Sequence, residues 1–256
     1  MLHMLIFIYV LCIYRPQFKH IAGPFGTEGT FTKNTPAEVH ELLTRLEQWS
    51  SADTRPKQSE LQRLVDIKHP LKPTQTPIDI KGSFMGDWYV IANIPTVFEI
   101  GAADCIEHYD WDKERNCVQV TFTYQPSGAT QRSTAYMRGY VKNEPVNTQW
   151  SMSPKVGIYL PLGLTYLIPY IAPDASYVLV GVPDRSYLWI MTRARPPATD
   201  GGIDSATAAD STVPRLSKEE YERVYAEGVH KAGGRTRSSG SSGLKRLPRG
   251  LLVMYI

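Results

Sequence analysis

From Phe84 onward the hydrophobic period of this chain is two residues, and no other feature restricts its fold as sharply. Eight short runs follow one another, WYVIA, CIEHYDW, CVQVTFTY, TAYMRGYV, TQWSM, LTYLIPY, SYVLVGV and YLWIMTR, all rich in Val, Ile, Tyr, Phe, Trp and Thr. Turn-forming residues divide them at Asp112 to Asn116, Pro126 to Gly128, Asn143 to Pro145, Ala172 to Asp174 and Pro183 to Arg185. Short connections with no helix between the runs predict an all-β, up-and-down antiparallel sheet. Closing that sheet into an eight-stranded barrel removes its exposed edges and leaves room for side chains or one small ligand. A two-sheet sandwich is the alternative arrangement of the same strands.

The flanks read differently. Met1 to Tyr14 (MLHMLIFIYVLCIY) is almost continuously apolar, too short to span a bilayer as a helix. It suits the apolar centre of a signal peptide, yet no Lys or Arg precedes it, while Arg15, Lys19 and His20 follow it. A membrane-docking anchor and a misassigned start fit nearly as well, so the expected location is membrane-associated or secreted through residues 1–14, and otherwise cytoplasmic. Thr35-Pro36 opens a helix carrying Val39, Leu42, Leu43 and Leu46 on one face. A second short helix places Leu61, Leu64 and Val65 on one side, packed on the barrel or on a membrane surface. His69 to Pro77 carries three prolines and is expected to be extended. Pro196 to Val213 reads as a linker; then Ser217 and Glu220 form a capping box ahead of Tyr221, Val224 and Tyr225 at helical spacing.

The net charge of +3 comes from the ends, because Lys81 to Arg195 contains ten acidic and ten basic residues. The last 26 residues, 231–256, hold Lys231, Arg235, Arg237, Lys245, Arg246 and Arg249 with no acid, a flexible tail suited to an anionic membrane surface. A neutral barrel region argues against nucleic-acid binding. The three cysteines, Cys12, Cys105 and Cys117, are too few for a disulfide framework. In a hairpin of 105–111 with 117–124, opposed residue numbers sum to about 228 or 229. Cys105 then meets the region of Thr123 and Cys117 meets Trp111, which predicts free thiols.

Gly86-Asp87-Trp88 at the first strand, Arg193 at the end of the last (LWIMTR), and Asp174 and Tyr177 in the turn PDASY together resemble the three signatures of the lipocalin family. GDWYVIANIPTVFEIGA, VTFTY, VGVPDRSYLWIMTR and the later LKRLP are similar to the bacterial lipocalin and apolipoprotein D branch. The resemblance spans roughly residues 77–230. With the flanks read above, the chain divides into a signal-like or anchor-like segment over 1–14, a helical N-terminal extension over 15–76 that has no counterpart in the family, the barrel with a C-terminal helix on its wall over 77–230, and a basic tail over 231–256. The resemblance also implies that Gly86, Trp88 and Arg193 close the barrel floor structurally. An indole beneath a guanidinium supplies a cation–π attraction of ~1 to 2 kcal/mol when desolvated, and the remaining guanidinium donors meet main-chain carbonyls.

In CVQVTFTY, Val118, Val120, Phe122 and Tyr124 alternate with Gln119, Thr121 and Thr123, so the first set is expected to face the lumen. The family's hairpin register turns Cys105, Glu107, Tyr109 and Trp111 inward too. Tyr187, Trp189 and Met191 share Arg193's side, with Val178, Val180 and Met137 as neighbours. The expected ligand-binding set is therefore Glu107, Tyr109, Val118, Val120, Phe122, Met137, Val178, Val180, Tyr187 and Trp189. A barrel filled solid by these side chains is the alternative. Glu107 in an apolar lumen must find a donor or take up a proton. It points to a ligand with an apolar tail and a polar or cationic head, a lysophospholipid or a fatty acid bound as its acid.

The expected function is to bind and carry such a lipid, with no cofactor, metal or catalysis, in membrane maintenance or stress response. A lipid-modifying enzyme on the same barrel is one alternative, but Cys105 and His108 fall on opposite strand faces. A membrane-surface or partner-binding module working through the N-terminal helices and basic tail is the other.

Overall fold

The computed structural model describes residues 60–96, 99, 102–126, 129–161, 163–197 and 212–234. The apolar segment 1–14, the expected helix from Thr35-Pro36, Cys12, most of the linker and the tail beyond 234 lie outside the described residues. Among the described residues nine strands form: β1 (Gly86–Ile94), β2 (Ala103–Asp112), β3 (Cys117–Gln125), β4 (Ser133–Val141), β5 (Gln149–Val156), β6 (Ile158–Tyr159), β7 (Leu164–Ile171), β8 (Tyr177–Gly181) and β9 (Leu188–Thr192). Eight of them close a ring, each antiparallel to its neighbours, in the order β1-β2-β3-β4-β5-β7-β8-β9 and back to β1. The ninth, β6, is a two-residue hairpin partner of β5 beyond Gly157, too short to carry an alternation in sequence.

The β2–β3 register sums to 229, as in Glu107 opposite Phe122 and Trp111 opposite Val118. Cys117 therefore opposes Asp112, one residue from the Trp111 expected, because the sum takes the upper of its two values. Cys105 sits at a register shift between Ala103 and Ile106, and both thiols are free.

Strand β1 also changes register, between Val90 and Ala92. Trp88 and Val90 face the lumen, whereas Ala92 and Ile94 join Leu179, Leu188 and Ile190 in a second apolar cluster outside the wall. Helix α2 (Lys218–Lys231) covers that cluster with Tyr221, Val224, Tyr225 and Val229. Its capping box forms as expected, Ser217 accepting from Glu220 N and Glu220 accepting from Ser217 N. The helix lies so close that a Cβ on Gly228 would stand 2.6 Å from Ile190 Cδ1. Covering both faces explains why every residue of β8 is buried.

Helix α1 (Glu60–Leu64) adds Leu61 and Val65 to the outer cluster. Leu64 was expected on the same side but is 38% exposed, since a five-residue helix presents only part of one face to the barrel. The chain then runs past the barrel without regular structure, bonding Leu71 N to Pro183 O, Thr74 N to Ile168 O and Ile78 N to Val146 O. A single π-helical turn, Ile80–Phe84, capped by Asp79 accepting from Gly82 N, drives Phe84 under the lumen.

The floor is closed there. The Arg193 guanidinium carbon lies 3.7 Å from the Trp88 ring centroid. Its two terminal nitrogens donate to Asp87 O and Ser83 O at 2.7 Å each, tying β9 to β1 and to the π-turn. Trp88 Nε1 in turn donates to Phe84 O at 2.8 Å. Gly86 enters β1 at φ +94°, left-handed backbone that a residue with a Cβ rarely adopts. Replacing Arg193 by Ala is expected to cost roughly 2–4 kcal/mol, the loss of a partly desolvated cation–π contact and two charge-assisted hydrogen bonds. Arg193→Lys should restore only part of this, because an ammonium cannot span both carbonyls in the plane of the indole. Urea unfolding followed by far-UV circular dichroism measures it, and an unchanged midpoint in Arg193→Ala would remove this residue from the account of closure.

Candidate ligand-binding cavity

The inward side chains stack in layers above Phe84. Its ring lies 5.0 Å from Tyr109, 5.1 Å from Trp150 and 5.4 Å from Trp88, an aromatic floor with no gap between rings. Val118, Val120, Val178, Val180 and Met191 form buried walls around the lumen. Toward the mouth the packing thins. Phe122 and Tyr187 each keep 8% exposure, and Met137, Tyr124 and Trp189 are half-buried against the core. Of the expected set, the four valines and Tyr109 are the most deeply buried, and the half-buried Met137 and Trp189 directly oppose Val120 and Val180. Trp111, near the floor, is half-buried with Lys81 Nζ 4.4 Å from its ring.

Glu107 stands between the two halves, opposite Trp88 on one side and Phe122 on the other. It is 4% exposed. The Tyr109 hydroxyl donates to its Oε2, and Tyr109 is paired through a 2.6 Å O···O contact with Tyr166 on β7. Tyr109 has one hydrogen and spends it on the carboxylate, so Tyr166 is the donor of the second bond. Burial pushes the Glu107 carboxyl up to about 7, against the pull of the Tyr109 bond and with a further push from the charge of Glu99. The same burial lifts both phenols well above their ordinary range.

Glu99, in the β1–β2 loop, was not expected in the cavity. It is as buried as Glu107; its Oε1 accepts from Trp189 Nε1 at 2.8 Å and its Oε2 from Thr96 N at 2.7 Å. Burial raises its pKa, and these donors lower it by less. One sequence signal was available: a single carboxylate inside the apolar run IPTVFEIGA. Tyr166 and Trp150, whose rings stack at 5.3 Å, were likewise unassigned.

Cys105 and His108 occupy opposite faces of β2. Cys105 is buried in the lumen, its thiol raised by desolvation first and then by Glu99 and Glu107. His108 lies on the outside, bonded to Asp87 at 2.5 Å and to Asp110 at 3.0 Å. Desolvation disfavours its charged form, but those carboxylates outweigh it and hold its pKa above the usual value. Among the described residues no three His, Cys, Asp or Glu side chains gather as a metal site would require.

Residues 78–203 match the family model described as a lipocalin-like domain. That stretch is similar to lipocalin-like domains. Over 126 residues the chain is 29% identical to temperature-induced lipocalin-1 of Arabidopsis thaliana, covering 43% of this chain, and it spans 60% of that curated relative's length. Among solved structures it is similar to the allergen Per a 4 from cockroaches, with TM-score 0.38, 15% identity, and coverage of 63% of this chain and 88% of that one. For insecticyanin from the tobacco hornworm Manduca sexta the values are 0.37, 17%, 63% and 78%. For lobster apocrustacyanin A1 they are 0.37, 12%, 66% and 87%.

The raised carboxyl of Glu107 makes the stability of the barrel depend on pH. Below the unfolded-state value of 4.5 the group is protonated in both states and costs nothing. As pH rises toward about 7 the unfolded chain ionises while the folded one holds its proton, so stability falls; above about 7 the full penalty, roughly 3 kcal/mol, is present. Glu107→Gln keeps an acceptor for Tyr109 and has no such penalty. The variant should gain stability relative to the wild type across this window, and urea melts at its two ends that give the same difference would contradict the assignment.

Proposed function

We propose that this lipocalin-like barrel binds and carries one small hydrophobic ligand, a single-chain lipid of the lysophospholipid class or a fatty acid taken up as its acid. The observation that supports this reading is the lining of the lumen: an aromatic floor of Phe84, Trp88, Tyr109 and Trp150, and an apolar upper half that reaches Phe122, Tyr187 and half-buried Trp189. That upper half offers apolar wall to a tail and a carboxyl with an acceptor oxygen to a head. Within the family we place the chain near the bacterial lipocalin and apolipoprotein D branch, on the GDWYVIANIPTVFEIGA and LWIMTR stretches.

A role in membrane lipid maintenance or stress fits the temperature-induced relative. The six cations of residues 231–256, with no acid, are our candidate for peripheral contact with anionic lipid. The barrel acts as a carrier and not as an enzyme: its lumen thiol, Cys105, is raised far from reactivity, and the nearest imidazole stands on the other face.

Titration of the full-length protein with a lysophospholipid, a fatty acid and retinol, followed by tryptophan fluorescence, should give saturable one-to-one binding of the first two. Trp189→Ala should weaken it by about tenfold or more, the worth of one buried indole face. Trp189→Phe keeps a ring on the wall and should weaken it less. No saturable binding of any of the three would sink the carrier reading.

A further inference from the structure

We propose that the barrel docks on an anionic lipid surface with the end away from its floor, inserting apolar side chains that stand on two sides of that end. This rests on the peripheral lipid contact proposed above and names the face of the barrel that makes it.

The first ground is where the exposed apolar side chains fall. Five large ones are exposed among the described residues: Leu64 at 38%, Ile67 at 52%, Tyr136 at 46%, Tyr140 at 38% and Ile158 at 58%. Strand register fixes their height. Val141 opposes Trp150, whose ring lies 5.1 Å from Phe84 in the floor, and Met137 opposes Pro154 four residues further up. Tyr136, and Ile158 in the β5–β6 hairpin beyond Pro154, therefore stand toward the end away from the floor. Across the ring, β8 and β9 pair at Tyr177 and Thr192 beside Arg193, and at Gly181 and Leu188 at the far end. Leu71 N donates to Pro183 O in the turn after Gly181, which brings Leu64 and Ile67 to that same far end. Only Tyr140 belongs to the lower wall. Single exposed apolar side chains are ordinary, but four of five gathered at one end form a patch.

The second ground is the shape of the hairpin. Gly157 takes φ +72°, and a Cβ there would meet nothing within 4 Å, so Ile158 sits on a projecting turn. Lys155 Nζ lies 5.5 Å from the Tyr136 ring and 5.6 Å from that of Tyr159. An aliphatic tip with phenols and an ammonium beside it matches the boundary of a bilayer, where the tip meets acyl chains and the polar ends stay among the head groups.

Charge identifies the surface. The chain leaves the barrel at Gly234, which is bridged to Val65 at this end, and the following residues bring five cations between Arg235 and Arg249 with no acid. An anionic leaflet attracts such a segment and so holds this end against the head groups. The floor end has no such match: its exposed turns carry Asp110, Glu114, Glu144 and Asp174 among their lysines and Arg115.

The test is flotation of the full-length protein with vesicles of phosphatidylcholine, alone or with about a quarter phosphatidylglycerol. The protein should bind the anionic vesicles roughly tenfold more tightly. Ile158→Glu and Ile67→Glu should each weaken that binding by about threefold to tenfold, Ile158→Leu should keep it, and Tyr140→Glu on the lower wall should leave it unchanged. Hydrogen exchange of the bound protein should slow at residues 64–69 and 155–159 and not in the floor-end turn 172–176. Wild-type binding by both glutamate variants, an equal loss in Tyr140→Glu, or slowing at 172–176 overturns the docking face and leaves the tail contact standing. Failure of the wild type to prefer the anionic vesicles overturns both.

Discussion

A guanidinium lying flat on an indole holds the barrel shut. Arg193 closes the ring between the last and first strands at the level where the sheet would otherwise splay. It does so by giving its face to Trp88 and its edges to carbonyls of β1 and of the turn before it. Trp88 passes the constraint upward through Phe84 to Tyr109 and Trp150, and Tyr109 presents its hydroxyl to Glu107. The polar centre of the lumen is therefore held in place by a chain of rings that ends on one cation. Loss of the cation would loosen the carboxylate opposite Trp88 as well as the floor.

The outer wall shows the same economy of means. A register shift within β1 lets one strand serve two cores, Trp88 and Val90 inside, Ala92 and Ile94 outside beneath α2. Strands β8 and β9 divide likewise, with Val178, Val180 and Met191 inside and Leu179, Leu188 and Ile190 outside. The barrel wall is thus packed on both faces on the side covered by the helix. The opposite side, β4 to β6, carries exposed Tyr136, Tyr140 and Ile158.

Much of this was legible because strand parity is a local signal. Val118, Val120 and Phe122 alternate with polar residues in the sequence and alternate in burial in the fold. The hairpin register followed from one turn, and the capping box from two residues three apart. Illegible features share a different property: they depend on partners far along the chain. Glu99 is placed by Trp189, ninety positions away, and Tyr166 by Tyr109, fifty-seven away. The exposure of Leu64 depends on how a five-residue helix happens to roll on the wall, and β6 on a hairpin of two residues. The alternation also says nothing about which inward side chains pack shut and which leave space, since both kinds are apolar.

The junction of the two flanks has its own consequence. Val65 bridges to Gly234, Asp66 N donates to Gly233 O, and Arg185 from the β8–β9 turn clasps His69 O and Ala232 O. The residues just after α1 and just after α2 are thereby tied to one spot beside the β8–β9 turn. That spot lies at the end of the barrel away from the Trp88–Arg193 floor, so the two flanks depart from the same end of the barrel and not from opposite ends.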